Sequence, residues 1–376
     1  MLAHSNAARW LLTFLVLLST TLAEAENPDL RCYAPAIVVP TPNVNRVLKV
    51  CVDQLERGQV HAMDSVNSLL FMNSCEASHA RASELRNELT CISAELGIGS
   101  AITSQARKIA PIGPDDNSAN VKCVASEALF EKAAAAGSPE AEEHFFLALT
   151  QGYANGCSAN VNLALAAQHM LRGAKLGSSY LQATLARVML VIRSPDAYVE
   201  MDVLHDKIYS KLASSLSGNL PEPKSEAILS LLNDSAQSYE TTAIKDLVEL
   251  YSRGTLGKPR AEYALAWAAI DSVRDEYPTQ DRTQFRTLYE RASPADRARA
   301  CKLLKKWSSD NVNFRLFSAD VRNEFVRECF VGEAIVKKAE CVSESSLTRI
   351  EGTLKPYIQE HPDCQSMSDE TSKRKD

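Results

Sequence analysis

Along most of the chain, apolar residues recur at steps of three and four, the spacing of one face of an α-helix. From Asn43 to about Glu95 they stand at Val47, Val50 and Leu55, at Leu69 and Leu70, and at Leu85, Leu89 and Ile92. That spacing predicts three short amphipathic helices. Gly97, Gly99, Pro111, Gly113 and Pro114 punctuate residues 97–120, which read as a linker. A second break, Ser217-Gly218-Asn219-Leu220-Pro221-Glu222-Pro223, interrupts the middle of the chain. The segment 365–376 is charged, serine-rich and without period, and is expected to be disordered.

Residues 1–25 depart from this pattern. Arg9 precedes an apolar run from Trp10 to Leu22, and Ala23-Glu24-Ala25 follows with the small-x-small pattern of a cleavage site. The run is too short to cross a bilayer of about 30 Å and reads as an export signal. The first cysteine, Cys32, lies several residues past that site, which argues against lipidation. No other stretch approaches the length of a membrane span, so none is expected in the mature chain.

Composition then narrows the picture. The 376 residues include only 14 Gly, about half of what average usage of roughly 7% supplies. This argues against collagen-like, low-complexity and turn-dense all-β architectures. A formal net charge of -6 gives no reason to bind a polyanion, so nucleic acid is not an expected partner.

The few glycines are not scattered evenly. Gly137, Gly152, Gly156, Gly173, Gly177, Gly218, Gly254 and Gly257, 8 of the 14, lie between positions 137 and 257. Leu149-x3-Tyr153-x2-Gly156 is matched by Leu247-x3-Tyr251-x2-Gly254. Ten residues beyond each closing glycine stand Ala166 and Ala264, and three further on stand the rings His169 and Trp267. Ala174 and Gly177 end the first copy, and Ala133-Ala134-x2-Gly137 ends the half-unit before it. Gly137 to Gly177 spans 40 residues, the period of stacked helix pairs. In this reading the alanines allow close helix approach, Tyr153 and Tyr251 fill space on the same helical face as the leucines, and Gly137, Gly156, Gly177 and Gly254 end helices in left-handed geometry.

At these positions the sequence resembles the Sel-one-like repeat family, relatives of the tetratricopeptide repeats. Thr241 to Gly254 and Ala264 to Ala269 carry the likeness best, with Leu129 to Gly137 similar to the usual end of a second helix. Ser293 to Ala300 is similar to the helix that follows the last repeat in such proteins. The resemblance spans 125–195 and 240–307, and it departs from the family at Thr150 and Val248, where a glycine is usual, and at Phe145 and His169. It implies an all-α, α/α helical-repeat solenoid. Some cysteine-rich members act on β-lactams, but their cysteine pair within each repeat is missing from 241–275.

The ten cysteines are Cys32, Cys51, Cys75, Cys91, Cys123, Cys157, Cys301, Cys329, Cys341 and Cys364. An even number in an exported chain predicts disulfides, and the absence of C-x-x-C removes zinc-knuckle and redox-motif spacings. Six precede a gap and four follow it, which suggests two stapled regions capping the repeats; the spacing leaves the connectivity open. The expected organisation is therefore a signal peptide at 1–25, an N-terminal cysteine-rich helical region at 26–96, the linker 97–120, a repeat region at 121–307 broken near 217–223, a C-terminal cysteine-rich helical region at 308–364, and the tail 365–376.

Chemistry is harder to find. No H-E-x-x-H, G-x-S-x-G or phosphate-loop motif occurs, so no catalytic, metal-binding or cofactor-binding residue is assigned and no cofactor is expected. Glu142-Glu143-His144 reads as a solvated helix face, His205-Asp206 as an adjacent pair pointing apart, and His169 as a partly buried packing ring. The expectation is an exported, non-enzymatic scaffold, in the periplasm or secreted, that binds a protein or peptide through its repeat surface. The alternative is an envelope hydrolase, directed at cell wall or β-lactams, with a site assembled from distant segments.

Overall fold

The computed structural model describes Cys32 and residues 44–75, 78–111, 119–193, 203–216, 223–238, 240–274, 281–310, 323–330 and 341–364. The expected signal at 1–25, the tail at 365–376 and all of the break except Pro223 lie outside these residues, as do the side chains of His205 and Asp206. What is described is almost wholly helical, as the apolar spacing predicts.

The first helices are α1 (Val44–Glu56), α2 (Ala62–Asn73), α3 (His79–Glu95), α4 (Gly99–Ile109), α5 (Ala119–Ala135) and α6 (Pro139–Gln151). A two-residue-strand hairpin follows, β1 (Tyr153–Ala154) antiparallel to β2 (Cys157–Ser158). Then come α7 (Leu163–Leu176), α8 (Ser179–Arg193), α9 (Val203–Leu216), α10 (Ser225–Gln237), α11 (Thr241–Arg253) and α12 (Ala261–Arg274). The chain continues through α13 (Asp281–Arg291), α14 (Pro294–Asp310), α15 (Glu324–Cys329) and α16 (Glu344–Glu360).

Helices pack in successive pairs, α2 with α3, α4 with α5, α6 with α7 and α11 with α12. Glycines mark the joints. At Gly58, Gly97, Gly137 and Gly177 the backbone turns left-handed, with φ of 78°, 82°, 79° and 96°. Each joint closes with the same two bonds, seen at Gly137 as Gly137 N–H to Ala134 O at 3.0 Å and Ser138 N–H to Ala133 O at 3.0 Å. This Schellman pattern satisfies carbonyls that the helix leaves unpaired. The four glycines stand 39, 40 and 40 residues apart, so the period extends through the N-terminal cysteine-rich region.

Two expectations change here. Residues 97–120 are not simply a linker, because α4 occupies most of them and buries Ala101, Ile102, Thr103 and Ala106. Gly99 is there for close packing: a Cβ on it would lie 3.0 Å from the Ser138 Cβ and 3.2 Å from the Ala133 carbonyl oxygen. The described part of 308–364 is likewise not one unit, since α15 stays against α14. Its last helix, α16, returns to the other end of the array and packs on α1 and α3, burying Leu347, Ile350 and Leu354 completely.

The core is continuous in the manner of stacked repeats. One cluster joins α1 to α6 with α16, a second joins α6 to α9, and a third joins α8 with α10 to α15. α6 and α8 contribute opposite faces to neighbouring clusters: Leu181, Leu185 and Val188 point one way, Ala183, Ala186 and Leu190 the other. α10 is an added helix between α8 and α11, in the stretch where the sequence departs most from the repeat.

Candidate functional site

The joint between α6 and α7 carries both a hairpin and a disulfide. Ser138 caps α6, its Oγ accepting the Ala141 N–H at 3.3 Å, and Pro139 follows at the first helical position. The helix ends at Gly152, φ 75°. Asn155 and Gly156, φ 48° and 81°, then form the two-residue turn of the hairpin. An Asn-Gly pair with both residues at positive φ is the preferred short hairpin connection, and that dipeptide was the local signal for it. Cys157 on β2 is bridged to Cys123 on α5, with Cα atoms 5.6 Å apart.

This turn corrects two expectations. Tyr153 does not fill a helical face; it lies past the end of α6, on β1, and is 49% exposed. Gly156 does not end a helix; it turns the hairpin beside Pro111, whose carbonyl oxygen would sit 2.6 Å from a Cβ.

Several large apolar side chains near the Cys123–Cys157 bridge are exposed. Val121 and Val124, flanking Cys123, are each 74% exposed, and Val161 and Leu165 at the start of α7 are also exposed. Val161 is tied to the hairpin base, since its Cγ2 lies 3.3 Å from where Gly152 would carry a Cβ. Tyr153, on the outer face of β1, adds a further exposed ring beside the bridged hairpin.

Next to the hairpin lies a buried polar cluster. Glu142 and His144 are both 3% exposed, so the expected solvated face is a packed interface. The face turns inward because α6 is covered by α5 on one side and α7 on the other. His144 stacks on Phe130 with ring centroids 3.6 Å apart. Its Nε2 lies 2.9 Å from Glu127 Oε1, and its Nδ1 lies 2.9 Å from the Asn155 amide nitrogen. The hairpin tip is thereby tied through His144 to α5. His169 Nδ1 lies 2.6 Å from Glu142 Oε2, and Arg172 Nε donates to Glu142 Oε1 at 3.1 Å. Burial lowers the His169 pKa, and Glu142 only partly offsets it. Burial also raises the Glu143 pKa, although Ser178 Oγ donates to that carboxylate at 3.3 Å.

The remaining predicted packing residues sit inside the array. Ala166, Ala264 and Leu247 are fully buried, Ala174 is 5% exposed and Trp267 1%. Gly177 and Gly254 end α7 and α11 in left-handed geometry. Leu149 is half-buried, and Tyr251 packs on Tyr263 with centroids 5.0 Å apart.

Two clefts flank α16. One of about 700 Å³ is lined by Glu56, Arg349, Tyr357 and Glu360; the other, of about 460 Å³, by Arg81, Glu88, Glu351 and Lys355. The two arginines in them are already paired. Arg349 Nη2 reaches Asp53 Oδ1 at 2.5 Å and Glu56 Oε2 at 3.0 Å, and Arg81 forks onto Glu351. Among the described residues no group of three His, Cys, Asp or Glu is disposed to hold a metal ion.

The ten cysteines form five bridges: Cys32–Cys51, Cys75–Cys341, Cys91–Cys364, Cys123–Cys157 and Cys301–Cys329. Two cross between the N-terminal and C-terminal groups, where the sequence suggested separate staples. No described helix is long and apolar enough to cross a membrane.

No family model and no curated protein matches the chain. Among solved structures, the chain is similar to a Sel1 repeat protein from Oxalobacter formigenes, at 17% identity and a TM-score of 0.37, over 62% of this chain and 81% of that one. It is also similar to a protective antigen present in uropathogenic Escherichia coli strains that displays an SLR fold, at 14% identity and a TM-score of 0.29, over 87% of this chain and 71% of that one. By its own helix pairs and regularly spaced left-handed glycines, this chain is an all-α, disulfide-bridged helical-repeat protein similar to those of the Sel1-like repeat family.

Proposed function

We propose that the protein is an exported, non-enzymatic scaffold that binds a protein partner through the exposed apolar side chains between α5 and α7. The observation that carries this reading is the exposure of Val121, Val124, Tyr153 and Val161 around one disulfide. Large apolar side chains exposed close together are a feature of interaction sites. A surface fixed by a bridge and a hairpin loses little freedom on binding, which favours affinity. Five bridges and the leader-like first 25 residues support an oxidising compartment, and we place the protein in the periplasm. The net charge of -6 favours a neutral or basic partner that presents an apolar segment.

The test is cross-linking in intact cells with the wild type and with a Val121→Glu, Val124→Glu variant. Both valines are exposed, so the variant should keep the wild-type melting temperature. A partner captured by the wild type and lost with the variant supports the reading. Capture that is unchanged by the two charges, or no specific capture at all, refutes it.

A further inference from the structure

Four of the five bridges keep at least one sulfur deep in the protein: Cys51 is 0% exposed, Cys364 1%, Cys157 4% and Cys329 5%. Cys75–Cys341 is the exception among the described bridges. Cys75 is half-buried and Cys341 is exposed. Thiol–disulfide exchange needs a thiolate to approach one sulfur in line with the bond, so access decides which bridge reacts first.

The position of this bridge gives its opening a structural consequence. It crosses the seam where the returning chain meets the start of the array. There Val342 N–H donates to Asn73 O at 3.0 Å, Asn45 Nδ2 donates to Cys341 O at 2.9 Å, and Ser343 N–H donates to Asn45 Oδ1 at 2.7 Å. Behind the seam, α16 has its own anchors: the buried Cys91–Cys364 bridge and the fully buried Leu347, Ile350 and Leu354. The outer bridge can therefore open while α16 stays seated.

We propose that Cys75–Cys341 is a reversible redox latch and that Cys341 is the sulfur attacked in exchange with a dithiol reductant. One thiolate of the reductant attacks Cys341 Sγ and forms a mixed disulfide, and Cys75 Sγ leaves as a thiolate and takes up a proton. The second thiol of the reductant then closes on the first, releasing Cys341 as a thiol. Two electrons and two protons pass to the Cys75–Cys341 pair, and the reductant becomes an internal disulfide. Oxidation by a disulfide of the same class reverses the sequence. The latch loosens the seam at Asn45 and Asn73 and leaves the other four bridges closed.

Pulsed reduction of the full-length native protein with dithiothreitol, followed by iodoacetamide trapping and peptide mass mapping, tests this. Peptides carrying Cys75 and Cys341 should acquire label at least about tenfold faster than those of the other eight cysteines, as expected when access limits the rate. A Cys75→Ser, Cys341→Ser variant should lose this fast two-thiol phase. If another bridge opens first, if all ten thiols appear together, or if the fast phase survives in the variant, the latch is refuted.

Discussion

Arg187 on α8 and Asp246 on α11, 59 residues apart, meet in a two-pronged ion pair, Nε to Oδ2 at 2.7 Å and Nη2 to Oδ1 at 2.8 Å. The pair bridges the stretch where α9 and α10 interrupt the simple repeat. Asp246 is 1% exposed. Burial works against the charge on Arg187, yet Asp246 outweighs it and raises the guanidinium pKa. Asp246→Ala leaves that cation buried without its partner, and should destabilise the protein by about 3–5 kcal/mol in urea titration. An Arg187→Met, Asp246→Leu double variant should recover most of the loss, because no unpaired charge is left inside.

His169 links stability to pH. Its folded-state pKa is lowered from 6.5, chiefly by burial, so the unfolded chain takes up a proton more readily. The stabilising contribution is complete above the unfolded pKa and declines as pH falls below it. Melting temperature should therefore drop between about pH 7 and about pH 5, and His169→Gln should flatten that slope. Asp64 and Glu143, raised by burial, tilt the profile the other way at lower pH. The difference between wild type and variant isolates the histidine.

Two helical glycines should respond in opposite directions to alanine. Gly352, exposed inside α16, has nothing within 4 Å of an added Cβ. Gly352→Ala should stabilise by about 0.5–1 kcal/mol, because the helix no longer restrains a glycine backbone. Gly173, buried in α7, would drive a Cβ into Leu181 Cδ1 and to 3.0 Å from Glu142 Cβ. Gly173→Ala should cost about 1–3 kcal/mol through overpacking. Thermal melts of the two variants decide both.

Cys75–Cys341 and Cys91–Cys364 close overlapping loops, with sequence separations of 266 and 273. With either intact, the other closes only the short spans 75–91 and 341–364. Chain entropy then sets each single removal at roughly 4 kcal/mol, while removing both should cost roughly 2 kcal/mol more than the two singles combined. Denaturant unfolding of the two single Cys-to-Ser pairs and the quadruple variant measures that excess.

Much of the helical plan was legible because its signals are local. An apolar spacing of three and four and a glycine that accepts left-handed φ act within one or two turns, so Gly137, Gly177 and Gly254 could be assigned as helix ends. Errors arose where one residue type serves two purposes. Gly99 resembles loop punctuation but lets α4 approach Ser138, and Asn155-Gly156 forms a hairpin that takes Tyr153 out of its expected helix. Glu142 and His144 looked solvated because burial depends on the neighbouring helices, which place Phe130, Glu127 and His169 against them.

By itself the sequence determined a helical repeat of about 40 residues and cysteines suited to bridging, since each follows from composition or short-range pattern. Only the tertiary structure decided which sulfurs meet. The apolar faces of α1 and α3 at the open end of the array need a cover, and α16, more than 240 residues away, supplies it. That closure is a matter of excluding water over a distant surface, and no local spacing around Cys75, Cys91, Cys341 or Cys364 encodes it.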